Sequence, residues 1–351
     1  MVIDLAIAHR TTGHRSTIFC VGERGTLAGQ AEAGGIAVTA FQKDKRADPW
    51  LCWRMAKAMR VAGAEVVHAH NPGVHHYAVL AAKLAGAGAV LNTRHGVSSS
   101  SGKRYDERWF RRALPWTGKV VYVSTDSQRY YTEGGIVPAE KGVTIFNGVP
   151  LAKYLGAARP RPRGAGGAIR LVTLGRLVPV KAHATLLGAF AMLRARLPAA
   201  PVELHIYGEG ELRGALEAEI VRLGLAGHAF LRGQTGDAAG ALADADAFVF
   251  SSTSEGQPMV ILEAMASGLP VISTRVGGVP EAAPEGEAAW YCEPGDANLL
   301  AALLEQALGS GEELARRGAR ARQLAIERYS IEAAQRSYEA VYRSCLPAKY
   351  R

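Results

Sequence analysis

Ser254-Glu255-Gly256-Gln257-Pro258-Met259-Val260-Ile261-Leu262-Glu263-Ala264-Met265-Ala266-Ser267-Gly268-Leu269-Pro270 lies between two apolar runs, Ala247–Ser251 and Pro270–Thr274. Together they read as strand, loop, helix and strand. Val- and Ile-rich runs without polar alternation suit strands covered on both faces, and a helix between two of them makes a parallel sheet. Pro258 suits the first position of the helix and Gly268 suits its end. The amides left free at such a helix start form an anion site suited to phosphate. Glu255 falls in the loop and Glu263 inside the helix, an acceptor able to grip a ribose diol. A lone Glu on an amphipathic helix is ordinarily just solvated. Here the strand, loop and proline ahead of it favour a ligand role.

Outward from this unit, the same alternation fills the chain. Strands are predicted at Ser16–Val21, Ala37–Phe41, Val66–His70, Ala89–Thr93, Val120–Ser124 and Val143–Phe146, with helical patterns such as Trp50–Val61 and Tyr77–Leu84 between them. A second series follows at Ile169–Leu174, Val202–Tyr207, Ala229–Leu231, Ala247–Ser251, Pro270–Thr274 and Ala289–Cys292. Between the two series, residues 156–168 are rich in Gly, Pro and Arg, with no apolar period, and read as a linker. Ser330–Leu346 has apolar residues at helical spacing behind a Ser cap. The expected fold is α/β, with two doubly wound parallel-sheet domains. They span 1–155 and 169–329, and a C-terminal helix, 330–351, packs back toward the first domain. Two such domains facing each other make a cleft, and ligands bind beyond the carboxyl ends of parallel strands.

A second cluster of unusual residues falls at such an end. Leu174-Gly175-Arg176-Leu177-Val178-Pro179-Val180-Lys181 follows the first strand of the second series. Gly175 permits close backbone approach. Arg176 and Lys181 put two cations at a strand-to-helix junction, enough to neutralise a diphosphate without a metal. Either cation alone would read as an ordinary surface charge.

Composition fits this picture. The chain has 351 residues, 48% hydrophobic and 21% charged, which suits two domains and gives no sign of disorder. Cys20, Cys52, Cys292 and Cys345 form no CxxC pair and sit beside no metal-type His, so neither a disulfide framework nor zinc is expected. That usage suits a reducing, cytoplasmic setting. No apolar run approaches the roughly 18 residues that cross a bilayer, and Met1-Val2-Ile3-Asp4 lacks the basic start of a signal peptide. The net charge of +9 favours an anionic partner such as a phosphorylated substrate, anionic lipid or nucleic acid. An Ala- and Arg-rich composition is an equally good source of that charge.

The sequence resembles family 4 of the retaining glycosyltransferases, which have the two-domain GT-B fold. Glu255 and Glu263 match the family's pair of glutamates, and Gly175, Arg176 and Lys181 match its phosphate site. Gly208-Glu209-Gly210 after a strand, Gly277-Gly278 with Glu281, and Asn147-Gly148-Val149 are shorter matches. The resemblance covers nearly the whole chain. It implies that Arg176 and Lys181 bind the donor diphosphate, with Gly175, Gly208 and Glu209 beside them, and that Glu263 binds the nucleotide ribose. Glu255 and the helix start, with the free amides between Gly256 and Met259 and with Gln257, Pro258 and Val260 beside them, would hold the donor sugar, and backbone groups near Leu231 and Arg232 would hold the base. His95, in Thr93-Arg94-His95-Gly96, matches a family histidine that reaches the donor sugar across the cleft. His68 and His70 read as structural or acceptor-side.

The activity implied is transfer of a sugar from a nucleotide-sugar donor to a glycan or lipid-linked acceptor, with retention at the anomeric carbon. Arg176, Lys181 and the helix start would stabilise the leaving diphosphate. Glu255 is a positioning group, and no protein base, metal or other cofactor is required. No nucleic acid partner is expected. Two alternatives are a GT-B-fold sugar-nucleotide epimerase and a non-catalytic nucleotide-sugar-binding subunit.

Three other features bear on the assignment. Asp244-Ala245-Asp246 matches the metal-binding DxD pattern of another transferase class, but it precedes a strand, at the wrong end of the sheet, and reads as structural. No GxGxxG follows a strand, which argues against a nicotinamide enzyme. Lys103–Arg112 mixes cations with Trp109 and Phe110; the aromatics read as core, and the cations suggest peripheral contact with an anionic membrane at its inner face. The resemblance departs at two places. Val2–Arg10 looks like the family's first helix, so the resemblance implies a first unit without the family's first, central strand and its Gly-Gly loop, and Pro150 stands where the family has an acid.

Overall fold

The computed structural model describes residues 1–43, 48, 50–96, 104–156 and 167–348. Most of the expected linker, and Lys103 at the head of the basic stretch, lie outside the described residues. The chain divides into two compact units, Met1–Gly148 with Ile331–Arg351, and Val149–Ser330.

The first unit runs through α1 (Val2–Thr11), β1 (Thr17–Cys20), α2 (Ala28–Ala33), β2 (Ala37–Ala40), α3 (Leu51–Ala62), β3 (Val66–His70), α4 (Pro72–Ala85) and β4 (Ala89–Arg94). It continues with α5 (Arg104–Ala113), a 3-10 turn at Leu114–Trp116, β5 (Lys119–Tyr122), α6 (Thr125–Glu133) and β6 (Gly142–Thr144). The second unit comprises α7 (Leu151–Leu155), β7 (Ile169–Leu174), α8 (His183–Arg196), β8 (Val202–Tyr207), α9 (Arg213–Arg222), β9 (Ala229–Gly233), α10 (Ala238–Ala243) and β10 (Ala247–Phe250). It ends with α11 (Met259–Ala266), β11 (Val271–Thr274), α12 (Val279–Ala282), β12 (Ala289–Cys292), α13 (Ala297–Leu308) and α14 (Gly311–Arg328), and α15 (Ile331–Cys345) returns to the first unit.

Every strand pairing is parallel. The second unit has one six-stranded sheet in the order β12-β11-β10-β7-β8-β9. Its core joins Leu171, Leu204 and Val249 of the strands to Phe190 of α8 and Leu304 of α13.

In the first unit the strands form two sheets, β1-β2 and β3-β4-β5-β6. Both lie between the same helical layers. Phe19 and Val67 share a core with Leu51 and Met59 of α3 and Val79 of α4. Side chains alternate along a strand, so Ile18 points the other way, onto Ile3 and Ile7 of α1. Leu5 and Ala8 of α1, with Tyr338 of α15, cover Val121 on that same side. Among the described strands none joins β1 to β3. The exposure follows: β4 is buried at every residue, whereas four of the five residues of β3 are half-buried.

Local chemistry sets the element ends. Ser124, read as the end of a strand, instead caps α6, its hydroxyl accepting from the Ser127 amide at 3.2 Å; the strand stops at Tyr122. The helix predicted at Tyr77 begins five residues earlier, with Pro72 at its start. Pro258 is not the first helical residue. It is the cap of α11, extended at φ −70 and ψ 127, and its carbonyl accepts from the Ile261 amide at 3.2 Å.

Candidate active site

In the second unit, successive strands leave β7 in opposite directions, to β8 and β9 on one side and to β10, β11 and β12 on the other. The boundary between β7 and β10 is the switch point, where the loops beyond the carboxyl ends diverge and leave a crevice. The β7 loop carries Gly175 to Lys181 and the β10 loop carries Ser251 to Gln257.

These two loops are tied together. The Lys181 ammonium donates to the Glu255 carboxylate at 2.6 Å, with both side chains mostly buried. The Thr253 amide donates to the Val180 carbonyl at 2.9 Å, and the Ser251 hydroxyl to the Lys181 carbonyl at 2.8 Å. Ala182 takes a left-handed conformation, φ +48 and ψ +39, which costs an L-residue about 1–2 kcal/mol. Such strain gathers where a loop's shape matters. Arg176 is exposed, and among the described residues no acidic side chain pairs with it.

Glycine packing fixes the loops from behind. Gly208 sits at φ +147, and a Cβ there would lie 1.9 Å from the Gly175 carbonyl oxygen. The Gly175 amide donates to Tyr207 and the Leu177 amide to Glu209, each at 2.9 Å. The Gly208 amide donates to the Gly233 carbonyl at 2.8 Å, which draws in the end of β9 with Leu231 and Arg232. On the other side, Gly277 at φ +48 backs the β10 loop, and a Cβ there would lie 2.0 Å from the Glu255 carbonyl oxygen. The Gly278 amide donates to the Gly256 carbonyl at 2.6 Å.

The predicted second-unit residues therefore converge on one end of one sheet, with differing surroundings. Glu209 accepts from Arg213 at 2.6 Å. Arg232 lies over Phe230 at 4.4 Å and donates to His205 at 3.3 Å. Gln257 is buried, Met259 and Val260 are half-buried, and Glu263 is the half-exposed acid on a helix whose Ile261, Leu262 and Ala264 are buried.

One residue at this end was not singled out from the sequence. His183, at the start of α8, is buried, and burial holds its ring near a pKa of about 4; contact with the Arg176 backbone opposes that shift and the Lys181 charge adds to it. The available signal was its place two residues after Lys181 in the same loop.

In the first unit, His95 follows β4, and its Nε2 lies 2.9 Å from Nδ1 of His70. Burial, with the charge of the terminal amine, lowers His95 to about 4, so it is neutral at pH 7. His68 is held between the Tyr342 hydroxyl at 2.8 Å and the Thr93 hydroxyl at 2.7 Å, a structural position. Beside His95, the buried Arg94 bonds the Tyr131 hydroxyl at 2.5 Å and Glu107 at 3.0 Å. Asp246 accepts from the Arg170 amide at 2.7 Å, at the amino ends of β10 and β7, so this acid ties strand starts together. Among the described residues no group of three or more His, Cys, Asp or Glu side chains is placed to hold a metal ion.

Residues 1–153 match the family described as Glycosyltransferase Family 4, and residues 168–310 match Glycosyl transferases group 1. The chain belongs to glycosyltransferase family 4. Its fold is GT-B, with two Rossmann-like domains. The family 4 chain is similar to the MMP alpha-(1->4)-mannosyltransferase of Mycolicibacterium hassiacum, at 34% identity over 48% of this chain and 41% of that protein. It is also 34% identical to the lipopolysaccharide core biosynthesis glycosyltransferase LpsE of Rhizobium meliloti, over 48% of each. The matched regions thus span less than half the length of these curated relatives. Among solved structures, Anabaena Alr3699/HepE in complex with UDP superposes with a TM-score of 0.84 at 20% identity, covering 98% of this chain and 95% of that one. A glycosyltransferase from Rickettsia africae gives 0.81 at 21%, covering 98% and 93%. Among the described residues no helix is long and apolar enough to cross a membrane.

Proposed function

We propose that this family 4 chain transfers a sugar from a nucleoside-diphosphate sugar to a glycan or lipid-linked acceptor, retaining the anomeric configuration. The observation that carries this reading is the convergence of Arg176, Lys181 and Glu255 on the switch point between β7 and β10. It is supported by relatives named for mannosyl transfer and lipopolysaccharide core synthesis, and by fold neighbours crystallised with UDP and UDP-glucose.

Arg176 offers a cation to the diphosphate, and the start of α11 offers amides. As the bond from the anomeric carbon to the leaving oxygen breaks, negative charge grows on the diphosphate, and these groups stabilise it more than they stabilise the bound donor. That oxygen takes the proton of the attacking acceptor hydroxyl on the same face of the sugar. Glu255 orients the sugar, Glu263 accepts from the ribose hydroxyls, and groups at Leu231 and Arg232 border the base. The acceptor belongs to surface polysaccharide or glycolipid synthesis, and the chain works on the cytoplasmic side of a membrane.

The test is calorimetry with UDP and UDP-sugars, followed by donor hydrolysis and transfer assays. Glu263→Ala removes a charged hydrogen bond of about 1.5–3 kcal/mol, so nucleotide binding weakens roughly tenfold to a hundredfold. Unchanged nucleotide affinity would remove Glu263 from the site. Interconversion of the donor sugar without an acceptor would instead make the chain an epimerase.

A further inference from the structure

The sequence has five tryptophans, and three of them face solvent on neighbouring parts of the first unit: Trp50 (69% exposed), Trp53 (54%) and Trp116 (52%). Tryptophan is seldom left this exposed without a use, because its ring buries a large apolar area when covered. Trp53, Lys57 and Val61 follow one another along the outer face of α3, spanning about 12 Å at 1.5 Å per residue. α4, packed beside it, turns Leu80, Lys83 and Leu84 outward.

Contacts make these parts continuous. Arg60 of α3 donates to the Leu84 carbonyl of α4. Lys83 lies over the Trp116 ring at 3.8 Å, and Lys57 lies 5.8 Å from the Trp53 ring. Between Phe19, Trp53 and Val61 the surface is notched by a groove of about 520 Å³.

The charge carried by α3 and α4 themselves has one sign. Neither α3 nor α4 contains an acidic residue, and together they contribute Arg54, Lys57, Arg60 and Lys83. Arg54 is paired with Asp48, leaving the others to act outward. Exposed indole rings among lysines and arginines, with aliphatic side chains between them, match the chemistry of a lipid headgroup layer. Rings settle at the acyl boundary there, and cations stay at the phosphates.

We infer that the α3–α4 face, with Trp53 and Trp116 as its anchors, docks the first unit onto an anionic bilayer surface. This surface is separate from the basic α5 stretch, and its docking does not depend on the donor chemistry proposed for the second unit. The protein sits on the membrane through side chains and does not span it.

The test uses the full chain with vesicles of phosphatidylcholine alone and of phosphatidylcholine mixed with phosphatidylglycerol. Expected are partition onto the anionic vesicles at least about tenfold stronger, loss of that preference in high salt, and quenching of tryptophan emission by brominated lipid. Trp53→Ser with Trp116→Ser lowers partition about tenfold or more, and Lys57→Glu with Lys83→Glu removes the preference for anionic lipid. The UDP-induced thermal shift, which reads the donor site, stays as in the parent for both pairs. If a variant pair fails to fold, quenching on the unaltered chain still decides. Absence of binding, equal binding to neutral vesicles, or binding without quenching overturns the inference. So does self-association in the absence of lipid that the tryptophan variants abolish, since a second copy would then cover the face.

Discussion

Lys181 and Glu255 meet at 2.6 Å between the loops of β7 and β10, so the positive charge expected of Lys181 is already balanced before any ligand arrives. An incoming diphosphate must share that ammonium with a carboxylate, while Arg176 has no such competitor among the described residues. Glu255→Gln removes the balancing charge. The substituted protein melts lower without ligand, because a largely buried ammonium loses its partner. It binds UDP tighter by about 1 kcal/mol, or roughly fivefold, as one unit of negative charge leaves the phosphate pocket. Calorimetry with UDP checks this, and weaker binding by the variant would mean that Glu255 touches the nucleotide favourably. Gly277 makes a different demand. At φ +48 with its missing Cβ 2.0 Å from the Glu255 carbonyl oxygen, Gly277→Ala incurs both backbone strain and a clash. Gly286, at φ +76 with nothing within 4 Å, isolates the strain. Gly286→Ala therefore costs about 1–2 kcal/mol, and Gly277→Ala costs clearly more and weakens UDP binding. Equal melting temperatures for the two variants would show that the β10 loop yields without loss.

At the scale of elements, the strands of the first unit differ in a measurable way. β4 is paired on both edges and buried throughout, whereas among the described residues β3 pairs only with β4 and is half-buried along most of its length. Native-state hydrogen exchange will show fast amides at alternate positions of Val66–His70 and slow amides across Ala89–Arg94. Uniform slow exchange across both strands would show that the open edge of β3 is covered in solution. Much of this architecture was legible in the sequence. Val66–His70, Ile169–Leu174, Val202–Tyr207 and Ala289–Cys292 coincide with strands residue for residue, since continuous apolar runs leave little choice of period. Element ends were harder, since one side chain can serve either neighbour. Ser124 reads as strand until its hydroxyl is claimed by the Ser127 amide, and Pro258 reads as helix until its ψ keeps it extended. For the candidate site, the residues could be named from the sequence but their relations could not. Lys181 and Glu255 are 74 positions apart, and nothing local says that one neutralises the other or that Gly277 lies behind Glu255. His68 reads as a strand-end histidine, yet its partner Tyr342 comes from α15, near the other end of the chain.

Across the whole molecule, buried neutral histidines couple folding to pH. His68 and His75 are lowered to about 3 and His9, His95 and His183 to about 4, in each case first by burial, and His70 is pushed well below its ordinary value for the same reason. In the unfolded chain these rings titrate near 6.5. Between that value and about pH 4 the unfolded state binds more protons than the folded one, so stability rises with pH and is lost as pH falls. Each ring held neutral contributes up to about 1.4 kcal/mol of loss for every pH unit below 6.5. Several such rings acting together make the slope steep. The shifted carboxylates do not account for this window, since Glu203, Glu219, Glu313 and Glu339 are all lowered from 4.5 and lose their contribution at more acid pH. Thermal melts should therefore be flat from about pH 8 to 7 and fall steeply from about 6.5 to 5, with the first unit, which holds five of these six histidines, lost ahead of the second. His68→Gln keeps hydrogen-bonding capacity toward Tyr342 and Thr93 while removing one titrating ring, so it should lower the melting temperature at pH 7.5 yet flatten the acid slope. A melting temperature unchanged between pH 7 and 5 would mean that these rings take up protons in the folded state.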